Sequence, residues 1–171
     1  MGVISCMRIP RRIVPGATYH VIARINRKEF ALASPVVKEM LIRVFRRAKE
    51  KFQFELVNLC IMDNHVHMMI RPGPDSSLSA IMQWILSVFA VRYNRYRGVS
   101  GHVWYDRFRS VVVDGLRQFL ATFWYIQDNP SRAGLIPVGE KYRYGLPELM
   151  RHGPPGLMDV PPPLLRSLQE G

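Results

Sequence analysis

His65 and His67 stand two residues apart in the run His65-Val66-His67-Met68-Met69-Ile70-Arg71. Alternate residues of a strand share a face, so both imidazoles project from one side with Met69 and Arg71, while Val66, Met68 and Ile70 project from the other. Two neutral imidazoles can hold a divalent cation between them. Without a third protein ligand, a His-x-His pair is more often an accident of composition. Tyr125 and Asn129 lie one helical turn apart and place a phenol and a carboxamide oxygen on one side of a helix. Tyr125 shares its stripe with Gln118, Ala121, Thr122, Asp128 and Asn129, not with Phe119 and Phe123, which belong to a core-facing stripe. A phenol outside the core is a candidate nucleophile toward phosphate, and Asn129 is a candidate third ligand. Asn129 reads equally well as a helix C-cap before Pro130.

These groups need elements to hold them. Tyr19 to Ile25, after the Pro15-Gly16 breaker, is rich in aromatic and β-branched residues and reads as a first strand. Ser34-Pro35 opens a helix to about Phe52, with Val36, Met40, Val44, Ala48 and Phe52 inward and Lys38, Arg43, Arg46, Arg47 and Lys49 outward. Phe54 to Met62 and His65 to Arg71 form a hairpin around Asp63-Asn64, two residues that tolerate left-handed conformations. A second helix runs from about Leu78, with Ile81, Met82, Ile85, Phe89 and Tyr93 inward, and Arg109 to Val113 makes a fourth strand. Leu116, Phe119, Leu120 and Phe123 set the core face of a third helix ending near Asn129-Pro130.

The order strand, helix, strand, strand, helix, strand predicts an α+β fold. It is a ferredoxin-like βαββαβ sandwich, an antiparallel sheet with helices on one face, followed by an additional C-terminal helix carrying the tyrosine. The expected division is a catalytic domain over 1–146 and a Pro-rich tail over 147–171 that wraps the surface or hangs free.

Composition narrows the partners. Lys and Arg number 24 against 13 Asp and Glu, a net charge of +11, which favours densely anionic partners, nucleic acid first. No stretch approaches the ~20 apolar residues of a membrane span. Met1 to Pro15, with Arg8, Arg11 and Arg12, lacks the continuous apolar segment of a secretory signal, so a cytoplasmic protein without membrane contact is expected. Cys6 and Cys60 match no metal or disulfide framework and read as plain thiols. No GxxxxGK[ST] nucleotide loop is present.

Met62-Asp63-Asn64-His65-Val66-His67, with Tyr125-Ile126-Gln127-Asp128-Asn129-Pro130-Ser131-Arg132-Ala133-Gly134-Leu135 downstream, resembles the REP-associated tyrosine transposases, within the HUH single-tyrosine, insertion-sequence type. Pro15-Gly16-Ala17-Thr18-Tyr19-His20-Val21 and Trp104-Tyr105-Asp106-Arg107-Phe108-Arg109-Ser110 resemble further segments of that family in the same order, so the likeness spans about Pro15 to Tyr144. Asp63 stands where the family usually has proline, and Asp128 where it is usually apolar. Either carboxylate could tune the site or compete for the metal.

The resemblance implies an enzyme that cleaves and rejoins single-stranded, hairpin-containing DNA of the REP palindrome kind. Tyr125 would be the nucleophile, through a 5′-phosphotyrosine intermediate. His65, His67 and Asn129 would hold Mg²⁺ or Mn²⁺. A monomer acting in cis is expected, with a tyrosine-helix-exchanging dimer as the other arrangement. Arg24, Arg27, Lys28, Arg107, Arg109 and Arg132 lie near these segments and would grip phosphates. Tyr105, Trp104 or Phe108 could stack on bases, although core packing is the better reading of Trp104 and Phe108. Two other readings use the same residues: a ferredoxin-like nucleic-acid-binding module without catalysis, and a metal-dependent phosphohydrolase without a covalent step.

Overall fold

A computed structural model describes residues 14–161; Cys6 and the chain after Pro161 lie outside them. The strands are β1 (Thr18–Arg24), β2 (Phe54–Ile61), β3 (His65–Pro72) and β4 (Arg109–Val113), and the helices are α1 (Pro35–Lys51), α2 (Leu78–Arg97), α3 (Gly115–Arg132) and α4 (Leu146–His152). The sheet order is β2-β3-β1-β4 with every neighbouring pair antiparallel, the ferredoxin-like arrangement expected from the element order.

Alternation along each strand divides the interior in two. Tyr19, Val21 and Ala23 of β1, Leu56, Leu59 and Ile61 of β2, and Val66, Met68 and Ile70 of β3 pack against α1 and α2. On the other face Val57, Cys60, Met62, Met69 and Val113 meet Phe123 and Ile126 of α3 and Leu146 of α4. The face that carries the histidines is therefore roofed by α3 over part of its area instead of standing open. Burial pushes the Cys60 thiol up to about 12, so it stays a neutral core group.

Three sequence expectations shift by small steps. On α1 the buried stripe is Val37, Leu41, Val44, Phe45 and Ala48, while Val36 is 49% exposed. That rotation brings Lys38, expected outside, into the interior at 2% exposure. Its ammonium donates to the Leu32 carbonyl at 2.5 Å and to Asp63 Oδ1 at 2.6 Å, which makes burial of the charge tolerable. Leu116, expected in the core, is 74% exposed because it sits in the first turn of α3, ahead of the residues that reach the sheet. The hairpin turn uses neither Asp63 nor Asn64 at positive φ; among the described non-glycine residues only Arg27 and Lys28 adopt it. The turn is fixed instead by Lys38, by Leu32 N–H donating to the Asp63 carbonyl at 2.9 Å, and by Ile25 N–H donating to the Asn64 carbonyl at 2.9 Å.

A bulge in β2 between Leu56 and Asn58 seats α3. Val57 faces the α3 core and Leu59 the opposite one, and Asn58 between them donates to the Phe123 carbonyl at 3.1 Å and accepts from Gln127 Nε2 at 3.3 Å. Asn58 is fully buried, so Asn58→Ala should cost about 1–3 kcal/mol by leaving these partners without it. A urea midpoint unchanged from wild type would show that α3 does not depend on this anchor.

The segment after β4 and α3 closes the free edge of β2. Ile61 N–H donates to the Tyr144 carbonyl at 3.0 Å, Leu56 N–H to Asp159 Oδ2 at 2.7 Å, and Asp159 N–H to the Leu56 carbonyl at 2.9 Å. Lys49 pairs with Asp159, so this part of the tail is strapped to the sheet and covers an edge that could otherwise template aggregation.

Candidate active site

β3 presents His65 and His67 toward α3, and β1 runs beside it with Arg24 opposite His65 and Ile22 opposite His67. His20, on the same face of β1, completes a group of three imidazoles. Its Nε2 lies 3.0 Å from His67 Nδ1, and the His65 and His67 ring centroids are 4.8 Å apart. His65 Nδ1 is 2.6 Å from Asn64 Oδ1. The signal for His20 was in the sequence: alternation puts it opposite Tyr19, Val21 and Ala23, and the ferredoxin order sets β1 next to β3.

All three imidazoles are held neutral. Burial pushes His67 down to about 3, helped by repulsion from His65, His20 and Arg24. Burial and then Arg24 lower His65, and burial lowers His20. Neutral rings keep lone pairs for a metal. The pH consequence has a definite sign. An unfolded histidine titrates near ~6.5 and His67 near 3, so between those values the unfolded chain binds more protons than the folded one. Stability should therefore be fully present above about pH 6.5 and decline as pH falls toward 3. Denaturant midpoints across that range should show a smaller decline in His67→Gln, and an equal decline would assign it to other groups.

α3 brings the phenol. The Tyr125 ring stands edge-on to His67 at 5.8 Å and to His20 at 6.0 Å between centroids, and the Arg132 guanidinium lies over it at 5.7 Å. Tyr125 is 41% exposed, so it is reachable from solvent as well as packed against the histidines. Asn129 donates its Nδ2 to the Tyr125 carbonyl at 2.8 Å from within α3, which continues through Pro130 to Arg132 and ends at Ala133, so Asn129 is not the helix C-cap expected from sequence and keeps Oδ1 to serve a metal. Among the described residues no group of three or more His, Cys, Asp or Glu is arranged to take a metal ion, so the candidate donor set is two imidazoles and an amide. Asp63 is engaged with Lys38, and Asp128 is exposed on α3.

Of the basic residues, Arg24 stands opposite His65 and Arg132 over the Tyr125 ring, whereas Arg27 and Arg107 line clefts beside α2. Arg24 ends β1, Arg107 and Arg109 lead into β4, and all three are exposed. Arg27 and Lys28 are exposed in consecutive left-handed conformations, φ 53° and 56°. Trp104 donates Nε1–H to the Leu86 carbonyl at 3.0 Å with its ring 5.3 Å from Phe89, and Phe108 is buried, so both are packing residues. Tyr105 is exposed.

Residues 13–129, which contain His20, both β3 histidines, Tyr125 and Asn129, match the family model described as "Transposase IS200 like". The chain belongs to the IS200-like transposases. The fold of this transposase is similar to that of a REP-associated tyrosine transposase solved bound to a REP hairpin, with a TM-score of 0.71, 17% identity, and 91% of this chain and 92% of that one covered. A Deinococcus radiodurans chain described as a transposase is less similar, with a TM-score of 0.47, 18% identity, and 70% and 95% coverage. No curated protein matches the transposase significantly. Among the described residues no helix is long and apolar enough to cross a membrane.

Proposed function

We propose that this transposase cleaves and rejoins single-stranded, hairpin-containing DNA through a covalent bond to Tyr125. The observation that carries the reading is the seating of one accessible phenol against His67 and beneath Arg132. The Tyr125 oxygen attacks the scissile phosphorus, the bond to the 3′ oxygen breaks, and the proton ends on that oxygen. The products are a 5′-phosphotyrosine and a free 3′-hydroxyl. The phosphodiester energy is retained, so a second 3′-hydroxyl can reverse the step on a new end without a nucleotide cofactor. Arg132 over the ring stabilises negative charge as the phenol gives up its proton.

His65 and His67 fit a divalent cation, because Asn64 and His20 occupy their Nδ1 atoms and leave both Nε2 atoms for ligation. Asn129 Oδ1 would be the third protein ligand. Mg²⁺ or Mn²⁺ there would polarise the non-bridging phosphate oxygens and offset charge developing in the transition state. Arg24, Arg27, Lys28, Arg107 and Arg109 hold the strand through its phosphates, and the hairpin form of the substrate is supported by the fold shared with the REP-hairpin-bound transposase. Tyr125 and His67 of one chain lie together, which supports a reaction in cis.

The test is incubation with 5′- and 3′-labelled single-stranded hairpins from the flanks of the protein's own gene, with Mg²⁺ or Mn²⁺, resolved on a denaturing gel. A metal-dependent protein-linked band is expected. Cleavage without that band would make the protein a phosphohydrolase, and binding without cleavage a nucleic-acid-binding module.

A further inference from the structure

We propose that His20 is the positioning residue that keeps His67 in its metal-binding tautomer, an inference that rests on the metal site proposed above. His65 shows the pattern. Its Nδ1 faces Asn64 Oδ1 at 2.6 Å, an oxygen that only accepts, so the ring proton sits on Nδ1 and Nε2 keeps its lone pair. At His67 the partner of Nδ1 is not an amide oxygen but the Nε2 of His20, 3.0 Å away. Between two neutral imidazoles one nitrogen donates and the other accepts, which allows two arrangements. With His67 donating from Nδ1, its Nε2 carries a lone pair for the cation. With the proton reversed, His67 is protonated on Nε2 and cannot ligate.

The surroundings make His20 the acceptor that decides between them. His67 is buried, so solvent is poorly placed to take over the bond if His20 is removed. His20 sits within β1, an interior strand of the sheet, with Met69 of β3 on one side and Val111 of β4 on the other, which fixes its backbone. The Tyr125 ring edge closes the approach from α3. Ligating histidines that lose the acceptor of their other ring N–H commonly lose about 10–100-fold in metal affinity.

The probe is Mn²⁺ alone, its free fraction followed by electron paramagnetic resonance, titrated into the full chain and into His20→Phe, His20→Gln and His67→Ala. His20→Phe, which keeps a flat ring but accepts nothing, should bind Mn²⁺ about 10–100-fold more weakly. His20→Gln, whose carbonyl oxygen can reach the place of Nε2, should recover most of that loss, and His67→Ala should bind least. Unchanged affinity in His20→Phe, with binding lost in His67→Ala, overturns the role of His20. Absence of Mn²⁺ binding in the wild type, or no effect of His67→Ala, overturns the metal site instead. Should His20→Phe fail to fold, the imidazole ¹⁵N spectrum of the unmodified chain without metal decides: a His67 proton on Nδ1 supports the assignment and one on Nε2 overturns it.

Discussion

Tyr125→Phe is expected to fold normally, bind hairpin DNA as tightly as wild type, and lose strand cleavage by on the order of 10⁴-fold or more, the scale of removing a nucleophile from an enzyme. The phenylalanine ring retains the edge contacts with His67 and His20 and the place beneath Arg132, so only the hydroxyl is removed. Matching thermal melts and DNA affinities beside a gel that lacks the covalent band would separate chemistry from packing. Cleavage that persists near the wild-type rate would leave the histidine centre as a hydrolytic site and Tyr125 as a bystander.

Lys38→Met should carry a large stability cost. Lys38 is buried, and its ammonium satisfies both the Leu32 carbonyl and the Asp63 carboxylate. Removing one member of a buried pair leaves the other uncompensated, typically at about 3–5 kcal/mol. The Asp63 side chain is 26% exposed, so the lower end, about 3 kcal/mol, is expected. The double variant Lys38→Met/Asp63→Asn should recover part of the loss, since the orphaned charge is gone. Denaturant titrations of both measure this, and a single variant within ~0.5 kcal/mol of wild type would show that the pair does not hold the turn. The same turn supplies Asn64 to His65, so Lys38→Met should also weaken Mn²⁺ binding.

These two residues mark what the sequence could and could not disclose. Tyr125 was legible because helical spacing separates it from Phe123, and His65 and His67 because strand alternation separates them from Val66 and Met68. Lys38 was misplaced because a lysine inside an amphipathic stripe reads as solvent-facing unless its buried partner is known, and Asp63 lies 25 residues away. His20 was passed over although alternation sets its face, because its meaning comes only from combining that face with the pairing of β1 and β3, a contact across 47 residues. The roofing of the histidine face by α3 likewise depends on the β2 bulge and the buried Asn58, which the apolar run Leu56 to Ile61 does not announce. Asp63, suspected of tuning the metal, turned out to be the counter-ion of Lys38.

The most direct test is to trap the protein–DNA adduct, digest it with trypsin and identify the modified peptide by mass spectrometry. Cleavage after Arg117 and Arg132 releases Gln118 to Arg132, whose single tyrosine is Tyr125. A nucleotide remnant on that peptide, attached through a phosphate at Tyr125, is the predicted result. An adduct on a different peptide, carrying another tyrosine such as Tyr105 or Tyr142, would contradict the assignment.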